Sequence, residues 1–400
     1  MNIRIKKSTA QGEIFAPPSK SIAHRNLICA FLANGESGIS SLAFSEDIKA
    51  TINCIKALGG VVEALGDRVT VKGGDFKITD ELFCNESGST LRFLIPLCLL
   101  FDEKITLTGS DRLFKRSLDV YEKLCAEQNI LFCQNEASVT VKGKLKSGKY
   151  SVRGDVSSQF ISGLMFALPL LQEDSTIDIT SALESGSYLG LTVKALAEFG
   201  VRISRTDEHT VYIKGSQTYR KRSLKVEGDY SNAAFFDALN VLGGNVAVTG
   251  LSDTSVQGDR VYRDILPLLS KGCPTVDISD CPDLGPILMA VAAANNGAVF
   301  TGTRRLKIKE SDRGEAMREE LAKFGCRVDI EENKITVHKC ELKAPTMPLL
   351  GHNDHRIVMS LAILSTLTGG EIYGAEAVSK SFPDFFERLE SIGIKVEKSI

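Results

Sequence analysis

The segment Pro17–Arg25 carries the first set of side chains with recognisable chemistry. It reads PPSKSIAHR, which places the cations of Lys20 and Arg25 beside two serine hydroxyls at the start of an apolar helical pattern. A cation in the first turn of a helix opposes the helix dipole and costs stability unless an anion binds there. The N–H groups of that turn are unsatisfied and suit an anionic ligand. The segment therefore predicts an anion-binding helix N-terminus rather than a solvated basic turn.

A second cluster, KESDR at Lys309–Arg313, precedes an amphipathic helical pattern. Lys309 and Arg313 are four residues apart and share a helix face, where like charges repel mildly. Asp312 lies three residues from Lys309, so an ordinary solvated salt-bridge face is one interpretation. Glu310 points elsewhere and leaves one carboxylate beside two cations, a pattern suited to proton transfer next to a phosphate group.

The third cluster, HNDHR at positions 352–356, also precedes an apolar helix. A metal site at its two histidines is possible, but no third ligand lies nearby in the sequence. We favour a helix cap at Asn353 or Asp354, with Arg356 as an anion ligand. Lys380 adds another cation before the last predicted helix.

Neutral donors and one carboxylate precede other predicted helices. They are Ser157, Ser158, Gln159, Ser185, Tyr188 and Asp283. Taken singly, each is more often an ordinary helix cap than a ligand. A binding function is favoured because such residues recur at the same place in successive parts of the chain.

Six similar units account for this recurrence. Each predicts a strand, a polar turn, an apolar helix, a strand, a second helix and a closing strand. The polar clusters fall at strand-to-helix junctions, where binding loops are normally found. The period of roughly 60–70 residues exceeds that of solenoid repeats and favours two groups of three βαβαββ layers. The fourth unit, from about Leu224 to Asp277, is shortened near its end.

Composition predicts a soluble protein of two domains. The chain has 400 residues, too many for one ordinary core, and 48 basic residues against 50 acidic ones leave a net charge of −2. No global field would attract nucleic acid or an acidic membrane, and the longest apolar run, Phe93–Phe101, is too short to span a bilayer. The ten cysteines show no metal-ligand spacing, and reduced, buried thiols are expected at Cys29, Cys54, Cys98 and Cys125. We therefore expect a cytoplasmic protein with no metal and no membrane or nucleic-acid partner.

The motifs PPSKSIAHR, KESDR, NDHR and SKSFPDFFERL occur in the order found in the 5-enolpyruvylshikimate-3-phosphate synthase family, which essentially the whole chain resembles. The resemblance implies an α/β (α+β) fold, a two-domain inside-out α/β barrel with three βαβαββ repeats in each domain. One domain would combine residues 1–17 and 228–400, the other would be residues 18–227, and the active site would lie in the cleft between them. No cofactor is implied, and we expect a monomer.

The resemblance also implies a reaction and the residues that perform it. The enolpyruvyl group of phosphoenolpyruvate would move to the 5-hydroxyl of shikimate 3-phosphate, and a tetrahedral adduct would then expel phosphate. Shikimate 3-phosphate would contact Lys20, Ser21, Arg25, Ser157, Ser158, Gln159, Ser185, Tyr188, Asp283 and Lys309. Phosphoenolpyruvate would contact Lys20, Gly88, Arg116, Gln159, Arg313, Arg356 and Lys380. Asp283 would take the proton of the attacking hydroxyl, Glu310 would carry the C3 proton and Lys20 would lie near the bridging oxygen, although coupled groups can exchange such roles.

Four positions depart from the common pattern of that family. Glu86 stands where Asn is usual, Phe93 and Ser117 where Pro is common, and Arg305 where an Asn often serves the shikimate side, so no contact is assigned to Arg305. The alternative is the sister transferase that acts on UDP-N-acetylglucosamine, which presents a reactive cysteine on a glycine-rich loop. The corresponding stretch, residues 110–116, contains neither residue type. A non-catalytic anion-binding or RNA-end-binding protein would more often show a net basic charge or stacking aromatic residues.

Overall fold

The computed structural model describes residues 1–207 and 209–399 and divides into two compact units. One unit joins Met1–Ser19 to the chain from Glu227 onward, and the other is Lys20–Val226. Each unit has its own hydrophobic core. The first unit begins with two strands, β1 (Asn2–Ile5) and β2 (Gln11–Phe15).

The unit Lys20–Val226 contains seven helices and twelve strands within its described residues. The helices are α1 (Lys20–Leu32), α2 (Glu46–Ala57), α3 (Gly88–Cys98), α4 (Asp111–Phe114), α5 (Asp119–Glu127), α6 (Ser158–Ala167) and α7 (Gly186–Glu198), with a 3-10 turn at Leu168–Leu170. The strands are β3 (Gly35–Ser40), β4 (Val61–Leu65), β5 (Arg68–Gly73), β6 (Glu81–Phe83), β7 (Ile105–Thr108), β8 (Leu131–Gln134), β9 (Ser138–Lys142), β10 (Lys149–Val152), β11 (Ser175–Ile179), β12 (Ile203–Arg205), β13 (Thr210–Ile213) and β14 (Ser223–Lys225).

These strands form three four-stranded sheets of the same topology. Their orders are β14-β3-β5-β4, β6-β7-β9-β8 and β10-β11-β13-β12. In each sheet the first pair is parallel and the following pairs are antiparallel. A parallel pair requires a crossover connection whereas an antiparallel pair closes by a hairpin, so each sheet belongs to one βαβαββ repeat. The first repeat takes its opening strand, β14, from the end of the unit.

The helices that begin at the polar clusters form the interior of this unit. Nearly every residue of α1, α3 and α6 is buried, whereas α2 buries one face only. A helix that is apolar on all sides is stable only when it is surrounded by protein. The sheets lie outside, with alternate residues such as Val69 and Val71 of β5 turned inward. Helices inside and sheets outside match the predicted inside-out arrangement.

The second half of the chain continues with α8 (Tyr230–Val241), β15 (Asn245–Thr249), α9 (Tyr262–Lys271), β16 (Thr275–Asp277), α10 (Gly285–Ala294), β17 (Gly297–Thr301), α11 (Arg313–Lys323), β18 (Val328–Ile330), β19 (Lys334–His338), β20 (Leu349–Leu350), α12 (His355–Thr368), β21 (Gly370–Tyr373), α13 (Phe385–Ser391) and β22 (Val396–Ser399). Short 3-10 helices lie at Gly258–Val261, Pro282–Leu284, Arg304–Ile308 and Ala375–Lys380.

The N-terminal strands complete two repeats of this unit. Its sheets have the orders β16-β17-β19-β18 and β20-β21-β1-β22, and β15 pairs only with β2. Strand β1 therefore occupies an interior position of the sixth repeat, between β21 and β22. The fourth repeat keeps two parallel strands and has no hairpin, which confirms the shortening predicted from the sequence.

Cysteine placement follows the prediction in part. Cys29, Cys54, Cys98 and Cys125 are free and buried inside apolar helices, as expected. Cys326 and Cys340 form a disulfide, which was not predicted. Across residues 1–207 and 209–399, no helix combines the length and the apolar character needed to cross a membrane.

Candidate active site

The first turn of α1 presents Lys20, whose ammonium group is held by a carboxylate from α2. Lys20 Nζ lies 2.7 Å from Asp47 Oδ2. Asp47 is fixed in turn by its place in the first turn of α2, where Ser45 accepts a hydrogen bond from the Ile48 N–H. Asp47 was not predicted, because nothing in the chain order pairs α1 with α2. The pair orients Lys20 and keeps one cation at this helix N-terminus.

Arg25 lies one turn further along α1 and brings the predicted α7 residues to the same place. Its guanidinium donates to Thr192 Oγ1 at 2.8 Å, to the Ser21 carbonyl at 2.7 Å and to the Tyr188 carbonyl at 3.1 Å. It also lies over the Phe93 ring, 5.2 Å from its centroid. Burial lowers the pKa of Arg25 to about 10, so the side chain stays charged at neutral pH.

Ser185 completes this part of the unit. It precedes α7 in the left-handed conformation, with φ 57°, and its side chain is buried. A non-glycine residue with that backbone is uncommon and is found most often where surrounding structure holds it for a functional reason. The structure thus brings Ser21, Arg25, Ser185 and Tyr188 together.

The N-terminus of α3 faces two arginines at Gly88. A Cβ atom added to Gly88 would lie 2.8 Å from Nη1 of Arg116 and 2.8 Å from Nη1 of Arg92, which is closer than real Cβ contacts. Glycine therefore allows both guanidinium groups to approach the helix backbone. Arg116 was predicted. Arg92 was not, although a charged residue inside the apolar run LRFLIPL was a signal that it is held for a purpose.

Arg92 connects Gly88 to the predicted cluster at the start of α6. It donates to Gln159 Oε1 at 3.0 Å, and Gln159 Nε2 donates to Ser89 Oγ at 2.9 Å. Ser157 caps α6 by accepting from the Gln159 N–H, and Ser158 is the buried first residue of that helix. The helix-cap interpretation of Ser157 is thus correct, and the cap lies next to the arginine cluster.

In the other unit, Asp283 lies among three cations. Its Oδ1 is 3.0 Å from Lys309 Nζ and 2.8 Å from Arg313 Nη1, and its Oδ2 is 3.7 Å from Arg356 Nη2. Burial opposes ionisation, but the charges of Lys309, Arg356 and Arg313 outweigh it and hold the pKa of Asp283 well below its usual range. The carboxylate is therefore ionised at neutral pH.

Arg313 connects three carboxylates in this cluster. Its Nη1 donates to Asp283 at 2.8 Å, its Nη2 to Glu310 at 2.7 Å and its Nε to Asp354 at 2.8 Å, with a longer contact from Nη2 to the same Asp354. Asp312 was one partner expected for this segment from the sequence. Asp312 instead caps α11 by accepting from the Glu315 N–H, and Asp283 takes the place of that partner.

The segment before α12 places the remaining predicted residues around the same cluster. Asp354 caps the helix, as one of the two predicted options, and also accepts from Ser311 Oγ at 3.1 Å. Arg356 donates to the Ser231 carbonyl at 3.1 Å, and Lys380 Nζ donates to the Asn353 carbonyl at 2.7 Å. Asn353 and Asp354, adjacent in this segment, thereby hold Lys380 and Arg313, and Arg356 is held separately by Ser231.

The possible metal-ligand group in the structure differs from the histidine pair considered from the sequence. His352 groups with Glu319 and Glu320, whose potential ligand atoms lie within 4.8 Å of one another, and His355 is not part of that group. Both Glu320 oxygens contact Lys323 Nζ, at 2.9 and 2.8 Å. The buried carboxylate is therefore already neutralised by a cation.

Two further buried groups adjoin Asp283 without having been predicted. Asp259 is buried, and its pKa rises to about 7, first because of burial and then because of the charge of Asp283. Arg305 is buried beside Lys309 and contributes to lowering the pKa of that lysine. Neither lies in a motif whose spacing distinguishes it from an ordinary polar residue.

The fold and these two clusters define an enzyme class built from βαβαββ repeats, with cations and hydroxyls collected at the N-termini of buried helices. The chain belongs to the EPSP synthase (3-phosphoshikimate 1-carboxyvinyltransferase) family, whose model matches residues 5–273 and 270–389.

Curated relatives and solved structures agree with this assignment. A 3-phosphoshikimate 1-carboxyvinyltransferase of Clostridium kluyveri is 40% identical over 421 aligned residues, covering 99% of this chain and 98% of the relative. The Clostridium novyi protein of the same name is 41% identical, covering 98% and 97%. The EPSP synthase structure from Acinetobacter baumannii superimposes with a TM-score of 0.81 at 22% identity over all of both chains. The enolpyruvyl transferase NikO from Streptomyces tendae gives 0.76 at 13% identity, covering 99% of this chain and 98% of NikO. At these identities the two structures support the fold alone.

Proposed function

We propose that the polar helix N-termini of both units bind phosphoenolpyruvate and shikimate 3-phosphate, and that Asp283, Glu310 and Lys20 move the protons of the reaction. Family membership gives the reaction itself. The chain is a transferase that moves the enolpyruvyl group of phosphoenolpyruvate to the 5-hydroxyl of shikimate 3-phosphate, in the biosynthesis of aromatic amino acids. The residue roles below are our assignment.

The unit Lys20–Val226 supplies most of the proposed shikimate 3-phosphate contacts. They are Lys20, Ser21, Arg25, Ser157, Ser158, Gln159, Ser185 and Tyr188, joined by Asp283 and Lys309 from the other unit. The support is that the α1 and α7 members are already connected through Arg25. Buried cations with hydroxyl neighbours suit a phosphate group on a polyhydroxylated ring.

The seven proposed phosphoenolpyruvate contacts include three arginines and two lysines. They are Lys20, Gly88, Arg116, Gln159, Arg313, Arg356 and Lys380. Guanidinium groups bind carboxylate and phosphate in paired hydrogen bonds, and phosphoenolpyruvate carries one of each. The four hydrogen bonds of Arg313 leave one of its five N–H groups for a ligand, so we expect its carboxylate partners to shift when substrate binds.

The proposed proton transfers follow from the charges around Asp283. Asp283 accepts the proton of the 5-hydroxyl as that oxygen attacks C2 of phosphoenolpyruvate, while Glu310 delivers a proton to C3. The tetrahedral adduct then loses phosphate, which carries away the proton held by Asp283, and the C3 proton returns to Glu310 to leave the enolpyruvyl ether. Lys20 stabilises the bridging oxygen of the departing phosphate. An anionic substrate that attracts Lys309 and Arg356 would raise the pKa of Asp283 and increase its basicity.

We also propose that the chain acts as a cytoplasmic monomer. Eight of the ten cysteines are free thiols, which favours a reducing compartment, whereas the Cys326–Cys340 disulfide argues against one. Sedimentation at assay concentration tests the monomer.

The observation that carries the proposal is the ionised Asp283 beside Lys309 and Arg313. The test is phosphate release from phosphoenolpyruvate with shikimate 3-phosphate as acceptor, run beside UDP-N-acetylglucosamine. We expect release with the first acceptor and a loss of about 10²–10⁴-fold in kcat for Asp283→Ala, with a modest change in phosphoenolpyruvate affinity. Asp264→Ala, at an exposed position of α9, is the matched control. Release only with UDP-N-acetylglucosamine, or near-normal turnover by Asp283→Ala, would overturn the corresponding part.

A further inference from the structure

A line of buried polar side chains joins α1, α2 and α3 inside the unit Lys20–Val226. His24 Nδ1 lies 2.7 Å from Thr51 Oγ1, Thr51 Oγ1 lies 2.7 Å from Thr90 Oγ1, and Thr90 Oγ1 donates to Ser87 Oγ at 2.7 Å. All four side chains are at most 1% exposed. Ser87 is the N-cap of α3 and directly precedes Gly88. A buried polar side chain destabilises a protein core unless its hydrogen-bonding groups are paired. Four such side chains in a row therefore indicate a specific role.

The hydrogen-bond directions fix the state of the imidazole. The hydroxyl proton of Thr90 is given to Ser87, so Thr90 accepts from Thr51. The hydroxyl proton of Thr51 is then used, so Thr51 accepts from His24 Nδ1, which must carry the hydrogen. The remaining ring nitrogen, Nε2, is buried and has no hydrogen-bond partner among the described residues. Burial, with the charges of Lys20 and Arg25, holds the pKa of His24 well below its usual range.

The same contact lies one helical turn from the Lys20 ion pair. Lys20 and His24 are four residues apart on α1, and Asp47 and Thr51 are four apart on α2, so the two pairs are successive cross-links between these helices. The link from Thr51 to Thr90 then extends the connection to α3. Lys20 at the N-terminus of α1 is thus linked to Gly88 at the N-terminus of α3 by the two cross-links between α1 and α2, the hydrogen bonds from Thr51 to Ser87, and the helix turns between them.

We infer that His24, as the neutral Nδ1–H tautomer, is a positioning residue that sets the distance between Lys20 and Gly88 for phosphoenolpyruvate. The inference rests on the proposed roles of Lys20 and Gly88. Because every hydrogen bond in this line has a fixed direction, its side chains have one arrangement. The line therefore holds the N-termini of α1 and α3 at one separation. A line that served stability alone would leave substrate affinity unchanged when one hydroxyl is removed.

Thr51→Val is the variant that interrupts the line with little change of shape. We expect the KM for phosphoenolpyruvate to rise about fivefold or more, since a hydrogen bond contributes about 1 kcal/mol, with a smaller change in the KM for shikimate 3-phosphate. Thr51→Ser retains the hydroxyl and should restore the wild-type KM. Thr140→Val is the control, because it removes one member of a hydroxyl pair between β7 and β9, 3.0 Å apart and outside the proposed site.

Nitrogen NMR of the whole protein, labelled at histidine, tests the tautomer directly at pH 7.5. The His24 signals are assigned by their loss in His24→Gln. We expect a protonated Nδ1 and an unprotonated Nε2 in the wild type, and loss of the protected Nδ1 proton in Thr51→Val. An Nε2–H tautomer or an imidazolium in the wild type would overturn the inference, and this measurement stands even if Thr51→Val fails to fold.

A comparison with Gly88→Ala separates this inference from the proposed site. If Gly88→Ala raises the KM for phosphoenolpyruvate while Thr51→Val leaves it at the wild-type value, only the role of His24 is wrong. If neither change affects that KM, the assignment of phosphoenolpyruvate to the N-terminus of α3 fails, and the inference fails with it.

Discussion

In the reaction that we propose, Asp283 combines substrate binding with acid–base chemistry. The carboxylate is ionised because Lys309, Arg356 and Arg313 outweigh the cost of its burial. The same cations lower its basicity, so it becomes a better base only when an anion shares their charge. Proton transfer is then coupled to substrate binding at the level of one side chain.

Gly88→Ala should weaken phosphoenolpyruvate binding selectively. The new Cβ would lie 2.8 Å from the Nη1 atoms of Arg116 and Arg92, so at least one guanidinium must move. We expect the KM for phosphoenolpyruvate to rise about tenfold or more, and the KM for shikimate 3-phosphate to change little. Steady-state kinetics with each substrate varied in turn measure this. Gly272→Ala is the control, because an added Cβ there meets no atom within 4 Å. Equal increases in both KM values would contradict the assignment.

Lys309 should make shikimate 3-phosphate binding sensitive to alkaline pH. Burial lowers its pKa to about 8, with Arg305 and Arg313 adding to the effect and Asp283 opposing it. The ammonium is present below that pH and is lost above it, so the KM for shikimate 3-phosphate should rise between about pH 7 and 9. Lys309→Arg keeps its charge throughout this range and should remove the rise. The same alkaline rise in both proteins would show that another group titrates.

The turn before α12 is the element whose geometry bears most on the cations of the second cluster. His352 and Asn353 have φ values of 49° and 53°, a left-handed conformation that costs non-glycine residues about 1–2 kcal/mol each. Glu320 of α11 holds this turn by accepting from the Leu350 N–H at 2.9 Å and lying 3.0 Å from His352 Nε2. Strain of this kind persists where neighbouring contacts over-determine the backbone.

Glu320→Gln should therefore affect both stability and phosphoenolpyruvate binding. The amide keeps the size of the side chain but loses the charge that pairs with Lys323, so we expect a loss of about 1–3 kcal/mol in unfolding free energy. Relaxation of the turn should also raise the KM for phosphoenolpyruvate, because Asn353 holds Lys380 and Asp354 holds Arg313. Urea unfolding and kinetics measure the two effects. Glu390→Gln, at an exposed position of α13, should leave both unchanged.

The sequence patterns predicted helices and their caps better than they predicted which side chains pair between different helices. The recurrence of polar residues before apolar helices was enough to predict the caps at Ser157 and Asp354. The pairing of Lys20 with Asp47, and of Arg92 with Gln159, depends on which helices pack together, and no local period contains that information. For the same reason the sequence did not show that β1 and β2 complete different repeats.

The two units differ in whether their sheets are built from one segment of the chain or from two. All three sheets of Lys20–Val226 are built from strands of that segment alone. The other unit needs both chain segments, because β1 lies between β21 and β22 and β2 is the only strand paired with β15 among the described residues. A sheet that loses an interior strand exposes unpaired backbone groups on both neighbours.

A fragment of residues 20–226 should accordingly fold by itself, whereas a fragment that begins at residue 227 should not. The first contains a complete core and complete sheets, so we expect a cooperative thermal transition followed by circular dichroism. The second lacks β1 and β2, and a peptide of residues 1–19 added in excess should restore its folding by supplying both strands. Neither fragment should release phosphate alone, because each holds only part of the proposed ligand set. Cooperative folding of the second fragment without the peptide would show that β1 and β2 are dispensable, and turnover by the fragment 20–226 would show that one unit suffices for catalysis.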